Sequence, residues 1–501
     1  MNSKRLLATG VLLFFESLLI VFLIHGDIVW ICLAIGALTA SCFLLIARWA
    51  RRSRGGKSSK IGNLFPILCV VLPFVFGYLT LYLGYFSPIL AILATALTIE
   101  FFSNFLALPL SIYHKHLETE FNNELKPADH WPSVSIIVPA HNEEKVIEQC
   151  IAALIEIDYP KKEVIVVDDG STDRTYELAT TYEKEGVKVF HRSNARGKSA
   201  ALNTGILFAK GEIIVTCDAD SLIARDAIRK IAIRFEDPMV NAVAGNVKVL
   251  NRTNLLTRCQ ALEYIVDLNI YRRVFDVFGV VPVVPGPLAA FRKSVLKEIG
   301  FYDRDTLTED FDITVKVLKT GKIVQALSEA FVYSEAPASW KDFYGQRLRW
   351  NRGTFQTLLK HRDVFRYSRF GFVHDLTFPY VLLSMLFIPL VSLVSIAVII
   401  TAALAGSGFQ VLYVIGGFIL LQATYSFLAI QMDNEDLKLI IYSPLFVVGY
   451  KEIRNFIKIK ALIDILRKKE MKWGAIQRIG VKEDLRNTRI TNQLISSLPM
   501  S

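Results

Sequence analysis

The chain has 501 residues, of which 52% are hydrophobic and 21% are charged, and its formal net charge is +10. This length allows two or three domains. The hydrophobic share is too high for an ordinary soluble enzyme, and the charged share is too high for a protein that lies wholly in lipid. The composition therefore predicts a protein with membrane and soluble parts.

Four apolar stretches near the N-terminus are each long enough to cross about 30 Å of hydrocarbon as a helix. They are Leu6–Ile24, Ile28–Ala47, Leu64–Phe86 and Ile89–Tyr113. The first predicts an anchor rather than a signal peptide, because a second span follows it closely. Glu16 and Glu100 lie within these stretches, where a carboxylate is costly unless it faces other helices, a headgroup or a polar path. We expect a membrane region over residues 1–113.

Positive charge is concentrated beside these apolar stretches. Residues 48–60 hold six basic side chains and no acidic one. Such a loop is typical of the cytoplasmic face of a membrane protein. The sequence has no interleaved basic and aromatic motif, so we expect no nucleic-acid partner.

Between residues 114 and 367 the long apolar runs give way to short strand-like runs that alternate with amphipathic helices. The predicted strands are 134–138, 163–167, 187–190 and 212–216. This alternation is typical of an α/β domain, and buried runs of this kind favour a parallel sheet. Ligands of such a sheet bind beyond the carboxyl ends of its strands.

Two further spans follow the α/β domain, at Leu376–Leu404 and Val411–Ile430. Residues 437–466 start apolar but then carry charges, which favours a re-entrant or interfacial amphipathic segment. Its apolar side would consist of Ile453, Phe456, Ile457, Ile459 and Ile463. With six spans and a cytoplasmic N-terminus, residues 114–367 and the basic tail are cytoplasmic. We expect the second membrane region to cover 368–450 and the interfacial and cytoplasmic tail to cover 451–501.

Polar motifs follow the first two predicted strands, VPAHNEE at 138–144 and VDDGSTD at 167–173. Backbone N–H groups at such a position are ready contacts for a nucleotide, and Asp168 and Asp169 can accept hydrogen bonds from a base or ribose. Taken singly, each motif is better explained by helix capping. The good N-cap residues are Asn142, Ser171, Thr172 and Asp173.

Two more motifs follow the third and fourth strands, RGKSAALN at 196–203 and TCDADS at 216–221. The first is not a complete P-loop, so Lys198 would act as a point charge for a diphosphate. Asp218 and Asp220 just beyond a strand can approach one hard cation, Mg²⁺ or Mn²⁺, whose other ligands are phosphate and water. An isolated D-x-D is common by chance, but its position after a central strand favours the metal.

Seven motifs in fixed order between residues 130 and 360 resemble the processive family 2 glycosyltransferases. They are VSIIVPAHNEE, VVDDGSTD, RGKSAALN, CDADS, VVPGPLAAFR, TLTEDFDI and QRLRW. The family comprises membrane-embedded synthases of poly-N-acetylglucosamine, hyaluronan, chitin and cellulose. The flanking spans and the tail after Ile459 look most like the bacterial poly-N-acetylglucosamine synthases. The resemblance implies a GT-A-type nucleotide-diphospho-sugar transferase domain over residues 114–367.

The resemblance also implies a role for each matching residue. Donor binding falls to Ala140, Glu143, Asp169, Lys198 and Asp218, and metal binding to Asp218 and Asp220. Asp310 of the Thr-Glu-Asp motif would be the general base. The diphosphate and the acceptor would be bound by Glu309, Gln346, Arg349 and Trp350. Sugar transfer needs a stabilised leaving group and a deprotonated acceptor hydroxyl, which these charges and one carboxylate can supply. Displacement with a single base inverts the anomeric centre and gives a β-linked product.

Some residues keep alternative interpretations. Trp350 offers a flat face to a sugar ring but is also typical of a membrane-interface aromatic. Arg352 would contact either a phosphate or a lipid headgroup. Thr308 is expected to cap a helix, and Asp312 is expected to be a first-turn charge favoured by the helix dipole. Pro285 stands where related synthases often have Ser, which leaves the sugar specificity open.

The leading hypothesis is a metal-dependent, processive, inverting synthase that extends a β-linked polysaccharide from a UDP-sugar and passes it across the plasma membrane. UDP-N-acetylglucosamine is the favoured donor, and the expected partners are the growing polysaccharide, membrane lipid and an accessory membrane subunit at the extra N-terminal spans. One alternative is a non-processive transferase that adds one sugar to a membrane lipid, and another is a catalytically silent scaffold. The QRLRW motif argues against the first, and the intact acidic residues argue against the second.

Overall fold

The computed structural model describes residues 87–124 and 131–469, together with Val75, Tyr78 and Tyr82, which are helical. The predicted spans at 6–24 and 28–47, the basic loop at 48–60 and the tail beyond residue 469 lie outside the described residues. The described residues separate into two compact units. The sheet unit comprises residues 131–264, 279–361 and 467–469, and the helical unit comprises residues 87–124, 265–278 and 362–466.

The described elements follow one another as a long helix, an alternating α/β region and a final set of helices. The strands are β1 (Val134–Ala140), β2 (Lys162–Asp168), β3 (Lys188–His191), β4 (Ile213–Thr216), β5 (Ser221–Ile223), β6 (Val240–Val249), β7 (Ala289–Arg292) and β8 (Ile323–Ser334). The α-helices up to residue 277 are α1 (Pro88–Glu124), α2 (Ile147–Ile155), α3 (Thr175–Thr180), α4 (Lys198–Phe208), α5 (Ala227–Arg234), α6 (Leu255–Glu263) and α7 (Ile270–Val277). The later α-helices are α8 (Lys293–Glu298), α9 (Glu309–Lys319), α10 (Trp340–Lys360), α11 (Asp363–Arg366), α12 (Phe378–Leu382), α13 (Ile388–Leu404), α14 (Gly408–Met432) and α15 (Tyr450–Leu466).

Short 3₁₀ and π-helical segments join several of these elements. The 3₁₀ segments are Thr181–Glu185, Gly286–Leu288, Ser368–Phe370 and Leu437–Phe446. The π-helical segments are Tyr264–Asn269, Val373–Thr377 and Leu383–Phe387. π-Helical turns interrupt the regular hydrogen-bond ladder and are often found near functional regions.

The sheet has the strand order β3-β2-β1-β4-β7-β6-β8-β5. The four strands predicted from the sequence are present, and they pair in parallel, with Val134 opposite both Lys162 and Ile213. Their central residues are fully buried because helices cover both faces of a parallel sheet. One of these helices, α2, buries Ile147, Ile151 and Leu154 at the spacing of a helical stripe.

The prediction of a wholly parallel sheet was wrong, because β7 runs antiparallel to both β4 and β6. Its first residue, Ala289, pairs with Thr216, the last residue of β4. The chain therefore enters β7 at the carboxyl edge of the first four strands. As a consequence, the Gly286–Leu288 segment lies at the same edge as the polar motifs.

The helical unit contains two helical segments that are long and apolar enough to cross a membrane. They are Val373–Leu404, which includes two π-helical turns, and Gly408–Met432. Both were predicted, and both begin three residues earlier than expected.

Residues 437–466 form a 3₁₀ segment followed by the amphipathic helix α15. Ile453, Phe456 and Ile463 lie on its exposed side. The prediction that Ile457 shares this side was wrong, because Ile457 is buried with Ala461 against the unit interior. Helix α15 thus has two apolar sides, one packed and one exposed.

Charged groups within the apolar helices are paired. The buried Glu100 accepts a hydrogen bond from Ser395 at 3.0 Å and forms an ion pair with Lys451. Likewise, Arg273 pairs with Asp433. A buried charge is tolerated only when it is paired and hydrogen-bonded, so Glu100 faces other helices, one of the expected arrangements.

Candidate active site

The loops after β1 and β2 are bound to each other through their polar side chains. The N–H of Asn142 donates to Ser171 Oγ at 2.9 Å, and its side-chain oxygen accepts from the N–H of Thr172 at 2.8 Å. Asn142 adopts a φ of +56°, a conformation that asparagine tolerates better than most residues. The capping interpretation was wrong for Asn142, Ser171 and Thr172, because the N-cap positions of α2 and α3 are Val146 and Arg174. It holds in part for Asp173, whose Oδ1 accepts from the N–H of Thr175, the first residue of α3, at 3.0 Å.

Asp169, at the carboxyl end of β2, fixes the loop that leads to α4. Its N–H donates to the carbonyl of Ala140 at 2.8 Å, which aligns the ends of β1 and β2. One carboxylate oxygen accepts from the N–H groups of Arg196 and Gly197 at 3.0 and 2.7 Å. The other lies 3.2 Å from the guanidinium of Arg192, a contact that sequence reasoning missed. Asp169 therefore holds the backbone that presents Lys198.

The predicted donor residue Glu143 lies in the loop after β1. Its N–H donates to Thr175 Oγ1 at 2.7 Å, so it is held against the first residue of α3. Glu143, Ala140 and Asp169 thus share one edge of the sheet, as expected for side chains that follow parallel strands.

Lys198 is the first residue of α4 and reaches two carboxylates. Its ammonium nitrogen lies 2.5 Å from Asp218 Oδ1 and 3.2 Å from Glu309 Oε1. Burial disfavours the charged ammonium, but Asp218 and Glu309 outweigh burial and raise the pKa of Lys198 above its usual value. The structure therefore joins two predicted motifs, about 90 residues apart in sequence, through one partly buried cation.

The backbone of Gly286 lies against the ion pair of Lys198 and Asp218. Its carbonyl accepts from Thr216 Oγ1 at 2.8 Å. A Cβ at this position would lie 2.7 Å from the Lys198 ammonium and 3.5 Å from both carboxylate oxygens of Asp218. Only a residue without a side chain permits this approach. The glycine of the VVPGPLAAFR motif thus permits the close approach of the Lys198 ammonium.

Asp218 and Asp220 follow β4 and provide oxygen ligands suited to a hard cation. The Asp218 side chain is 27% exposed, so a ligand can reach it. Ser221 Oγ donates to Asp220 Oδ1 at 3.0 Å, which orients that carboxylate as a ligand is often oriented by its surroundings. The donor set fits Mg²⁺ or Mn²⁺.

Asp310 lies in the first turn of α9 beside this network. One of its oxygens accepts from the N–H of Phe311 at 2.8 Å. Burial and the neighbouring charge of Glu309 raise the pKa of Asp310 to about 6, although the charges of Lys198 and Arg349 act in the opposite direction. A carboxylate with this pKa can accept a proton near neutral pH.

Tyr302 is a further residue of this site that sequence reasoning missed. Its side chain is buried, and its backbone is held on both sides by Asn203, at 2.9 and 3.0 Å. Burial and the charge of Glu309 raise the pKa of the Tyr302 phenol, so it stays protonated. An aromatic residue before a turn gives no local signal of this placement.

Helix α10 carries the other predicted motif. Arg349 Nη1 donates to the carbonyl of Leu307 at 3.4 Å, and Gln356 Oε1 accepts from the N–H of Leu307 at 3.0 Å. The helix thus holds the segment just before Asp310. Gln346 Oε1 is buried and has no hydrogen-bond partner among the described residues, as expected of a group that awaits a polar ligand.

The expectations for two residues at the start of α9 were correct in position only. Thr308 is the N-cap residue of α9, as predicted, but its side chain makes no capping bond, and its hydroxyl lies 3.5 Å from that of Thr357. Asp312 is a buried residue that binds His361 at 2.8 Å, so it is not a solvated first-turn charge. Arg352 is buried and donates to the carbonyl of Lys469, a partner that neither expectation had named.

An acidic cluster formed by Asp303, Asp305 and Asp312 lies where the N-terminal end of α9 meets the C-terminal end of α10. The Lys360 ammonium lies 2.7 Å from each of the first two carboxylates and 3.0 Å from the third. Burial opposes its charge, but these hydrogen bonds raise the pKa of Lys360 above its usual value. A protein cation therefore fills the position that a metal ion would take.

Residues 135–300 match the family described as glycosyl transferase family 2. Poly-beta-1,6-N-acetyl-D-glucosamine synthase of Staphylococcus epidermidis is 29% identical over 256 residues, which cover 50% of this chain and 62% of that protein. The probable glycosyltransferase YdaM of Bacillus subtilis is 32% identical over 255 residues, which cover 49% of this chain and 61% of that protein. The matches thus span less than two thirds of these relatives.

Among solved structures, the mannosyltransferase PcManGT from Pyrobaculum calidifontis, in complex with GDP-Man and Mn²⁺, has a TM-score of 0.54. It is 23% identical, and the match covers 76% of this chain and all of that one. This likeness establishes a shared fold. The chain therefore carries a family 2 glycosyltransferase domain of mixed α/β architecture, similar over half of its length to poly-N-acetylglucosamine synthases.

Proposed function

We propose that the chain is a processive, inverting glycosyltransferase that polymerises N-acetylglucosamine from UDP-N-acetylglucosamine into a β-linked polysaccharide. The observation that carries the proposal is the ion-pair network in which Lys198 joins Asp218 to Glu309 beside Asp310. In this network the Lys198 ammonium would bind a diphosphate, and Asp310 beside it would act as the base. The names of the similar relatives support the choice of sugar.

On the donor side, Lys198 and Arg349 would bind the diphosphate. Their charges would stabilise the negative charge that develops as the bond between the sugar C1 and the diphosphate oxygen breaks. Asp218 and Asp220 would hold a divalent cation, which when bound would neutralise part of the same charge. The Mn²⁺ of PcManGT is consistent with this assignment. Ala140, Glu143 and Asp169 would contact the nucleoside from the edge of β1 and β2.

On the acceptor side, Asp310 would accept the proton of the attacking hydroxyl. The new bond to C1 would form from the face opposite the leaving diphosphate, so an α-linked donor would give a β-linked product. Its pKa of about 6 keeps Asp310 mostly deprotonated at neutral pH. Gln346 and Trp350 would bind the sugar at the acceptor end.

We also propose that the enzyme is a multi-pass protein of the plasma membrane, with its catalytic domain at residues 114–367 in the cytoplasm and the membrane regions at 1–113 and 368–450. The two described apolar helical segments support this arrangement. The growing polymer would pass through the membrane helices, and an accessory membrane subunit would bind the N-terminal spans. The exposed apolar side of α15 would lie at the lipid interface.

The central test is product analysis. Membranes that contain the full chain are incubated with a panel of labelled UDP-sugars and Mg²⁺ or Mn²⁺, and the products are sized. We expect a long polymer from UDP-N-acetylglucosamine alone. A product that consists only of singly glycosylated lipid would contradict processivity and would support the alternative glycolipid transferase.

The general base can be tested by Asp310→Asn. Because the amide cannot accept a proton, we expect turnover to fall by about 10²- to 10⁴-fold while UDP still binds. The matched control is Asp305→Asn, an exposed carboxylate of the preceding loop, which should keep turnover near that of the wild type. Unchanged turnover in Asp310→Asn would contradict the assignment of Asp310 as the general base.

A further inference from the structure

One face of Trp350 is covered by an arginine from its own helix. Arg347 precedes Trp350 by three residues in α10, so both lie on the same side of the helix. The guanidinium carbon of Arg347 lies 4.3 Å from the centroid of the indole ring. The indole itself stays partly exposed. Only the surface that Arg347 leaves open is therefore available to a ligand.

Arg347 is fixed from the other side by a carboxylate and a second ring. Its Nη2 donates to Glu263 Oε2 at 2.9 Å, and both side chains are at most 7% exposed. The ring of Phe343, fully buried, lies 5.1 Å from the same guanidinium. Several planar contacts thus leave the guanidinium little freedom to move.

A buried ion pair of this kind contributes little to the free energy of unfolding. Removing two charges from water costs free energy that their attraction only partly returns, and apolar residues of similar size often stabilise a protein more. The benefit of a buried Arg lies in its geometry, because its planar group stacks on an aromatic face while it bonds a carboxylate in a fixed direction. The arrangement at Trp350 uses both properties.

We propose that Arg347 is a positioning residue for the acceptor site, which acts by fixing the indole of Trp350. With the indole held on one face, its open surface would meet the C–H face of the acceptor sugar in a constant orientation. This inference rests on the proposed function, since it assigns Trp350 to the acceptor. The family resemblance had assigned no role to Arg347, the second residue of the QRLRW motif.

The test is a double-mutant cycle with Arg347→Lys and Trp350→Leu in the full chain. The lysine keeps the charge but cannot stack as a plane. We expect Arg347→Lys to raise the KM for a short β-linked N-acetylglucosamine oligosaccharide by about tenfold, with the KM for UDP-N-acetylglucosamine unchanged. In the Trp350→Leu background, the same substitution should add little, because the residue through which it acts is gone.

Arg229→Lys is the matched control. The Arg229 guanidinium lies 4.9 Å from the centroid of the Trp131 ring and 3.0 Å from Asp158, so it also contacts one ring and one carboxylate, but on the protein surface near the N-terminal ends of β1 and β2. It should leave both KM values unchanged. UDP binding verifies the folding of each variant, and Glu263→Gln replaces Arg347→Lys in the cycle if the latter binds no UDP.

The possible outcomes separate the two proposals. Additive effects of Arg347→Lys and Trp350→Leu on the acceptor KM would overturn the inference. An equal rise of the donor and acceptor KM would also overturn it, because that result is expected of a merely structural arginine. A wild-type chain that transfers no sugar would contradict the proposed function instead.

Discussion

Asp310 carries a prediction at the scale of a single residue. Only its deprotonated form can accept the acceptor proton, so kcat/KM should rise with pH and reach half of its plateau at a pH of about 6. Glu309→Gln removes a neighbouring negative charge that raises the pKa of Asp310, and the rising limb should then move to lower pH. Both profiles are measured with purified full-length protein. If the rising limb has the same midpoint pH in Glu309→Gln as in the wild type, it reports the ionisation of a group other than Asp310.

Gly286 carries a second prediction. The methyl group of Gly286→Ala would lie within contact distance of the Lys198 ammonium and would push it away from Asp218. Since the lysine side chain is flexible, we expect the fold to survive and the KM for the donor to rise by about tenfold. Gly345→Ala is the control, because a Cβ there meets nothing within 4 Å. Equal donor KM values in the two variants would contradict the role of Gly286.

At the scale of elements, Lys360 links the end of α10 to the loop before α9 through ion pairs with Asp303 and Asp305. Burial would raise the pKa of Asp303, but hydrogen bonds from Lys360 and Lys316 hold it below its usual value. Lys360→Met leaves three carboxylates together without their cation, so we expect a lower Tm. Millimolar Ca²⁺ should partly restore it, because converging carboxylate oxygens suit that ion.

The control for this prediction is Lys316→Met, which removes a neighbouring cation that contacts only one of the three carboxylates, Asp303. Its Tm should fall less and should not respond to Ca²⁺. A Tm of Lys360→Met that equals that of the wild type would show that the cluster does not hold the two elements together.

The sequence predicted β1 to β4 but not β6 to β8, and the difference has a physical cause. The first four strands are short apolar runs that end in turn residues. Strand β6 is buried at all ten positions although it includes Asn246 and Lys248, so its pattern does not resemble a strand. The direction of β7 depends on where the chain enters the sheet, which no local pattern records.

The residues of the candidate site, like the strands, were predicted only in part. The motifs identified Lys198, Asp218 and Asp310, and the fold brings the first two into one ion-pair network beside the third. Tyr302 and Arg347 were missed, because their placement depends on contacts with residues distant in the chain. Their roles, and those of the motif residues, stay predictions until the variants above are measured.

At the scale of the whole molecule, the path of the chain has a consequence for its solubility. Helix α7 belongs to the helical unit, where it buries Ile270, Val274 and Phe275. A fragment of residues 131–361 would keep α7 without its partners, and its apolar side would be exposed. We expect such a fragment to aggregate in a sedimentation assay. Replacing those three residues with Gln should increase its soluble fraction, and no increase would assign the aggregation to another surface.

The same path limits how this enzyme can be recombined with its relatives. Within the described residues the chain passes between the units after residues 124, 264, 278, 361 and 466. A segment of residues 131–361 exchanged without interruption would therefore bring the helix at 270–277 into a foreign set of partner helices. An active chimera would need splice points on both sides of that helix, so recombination at the ends of this segment alone should rarely yield an active glycosyltransferase.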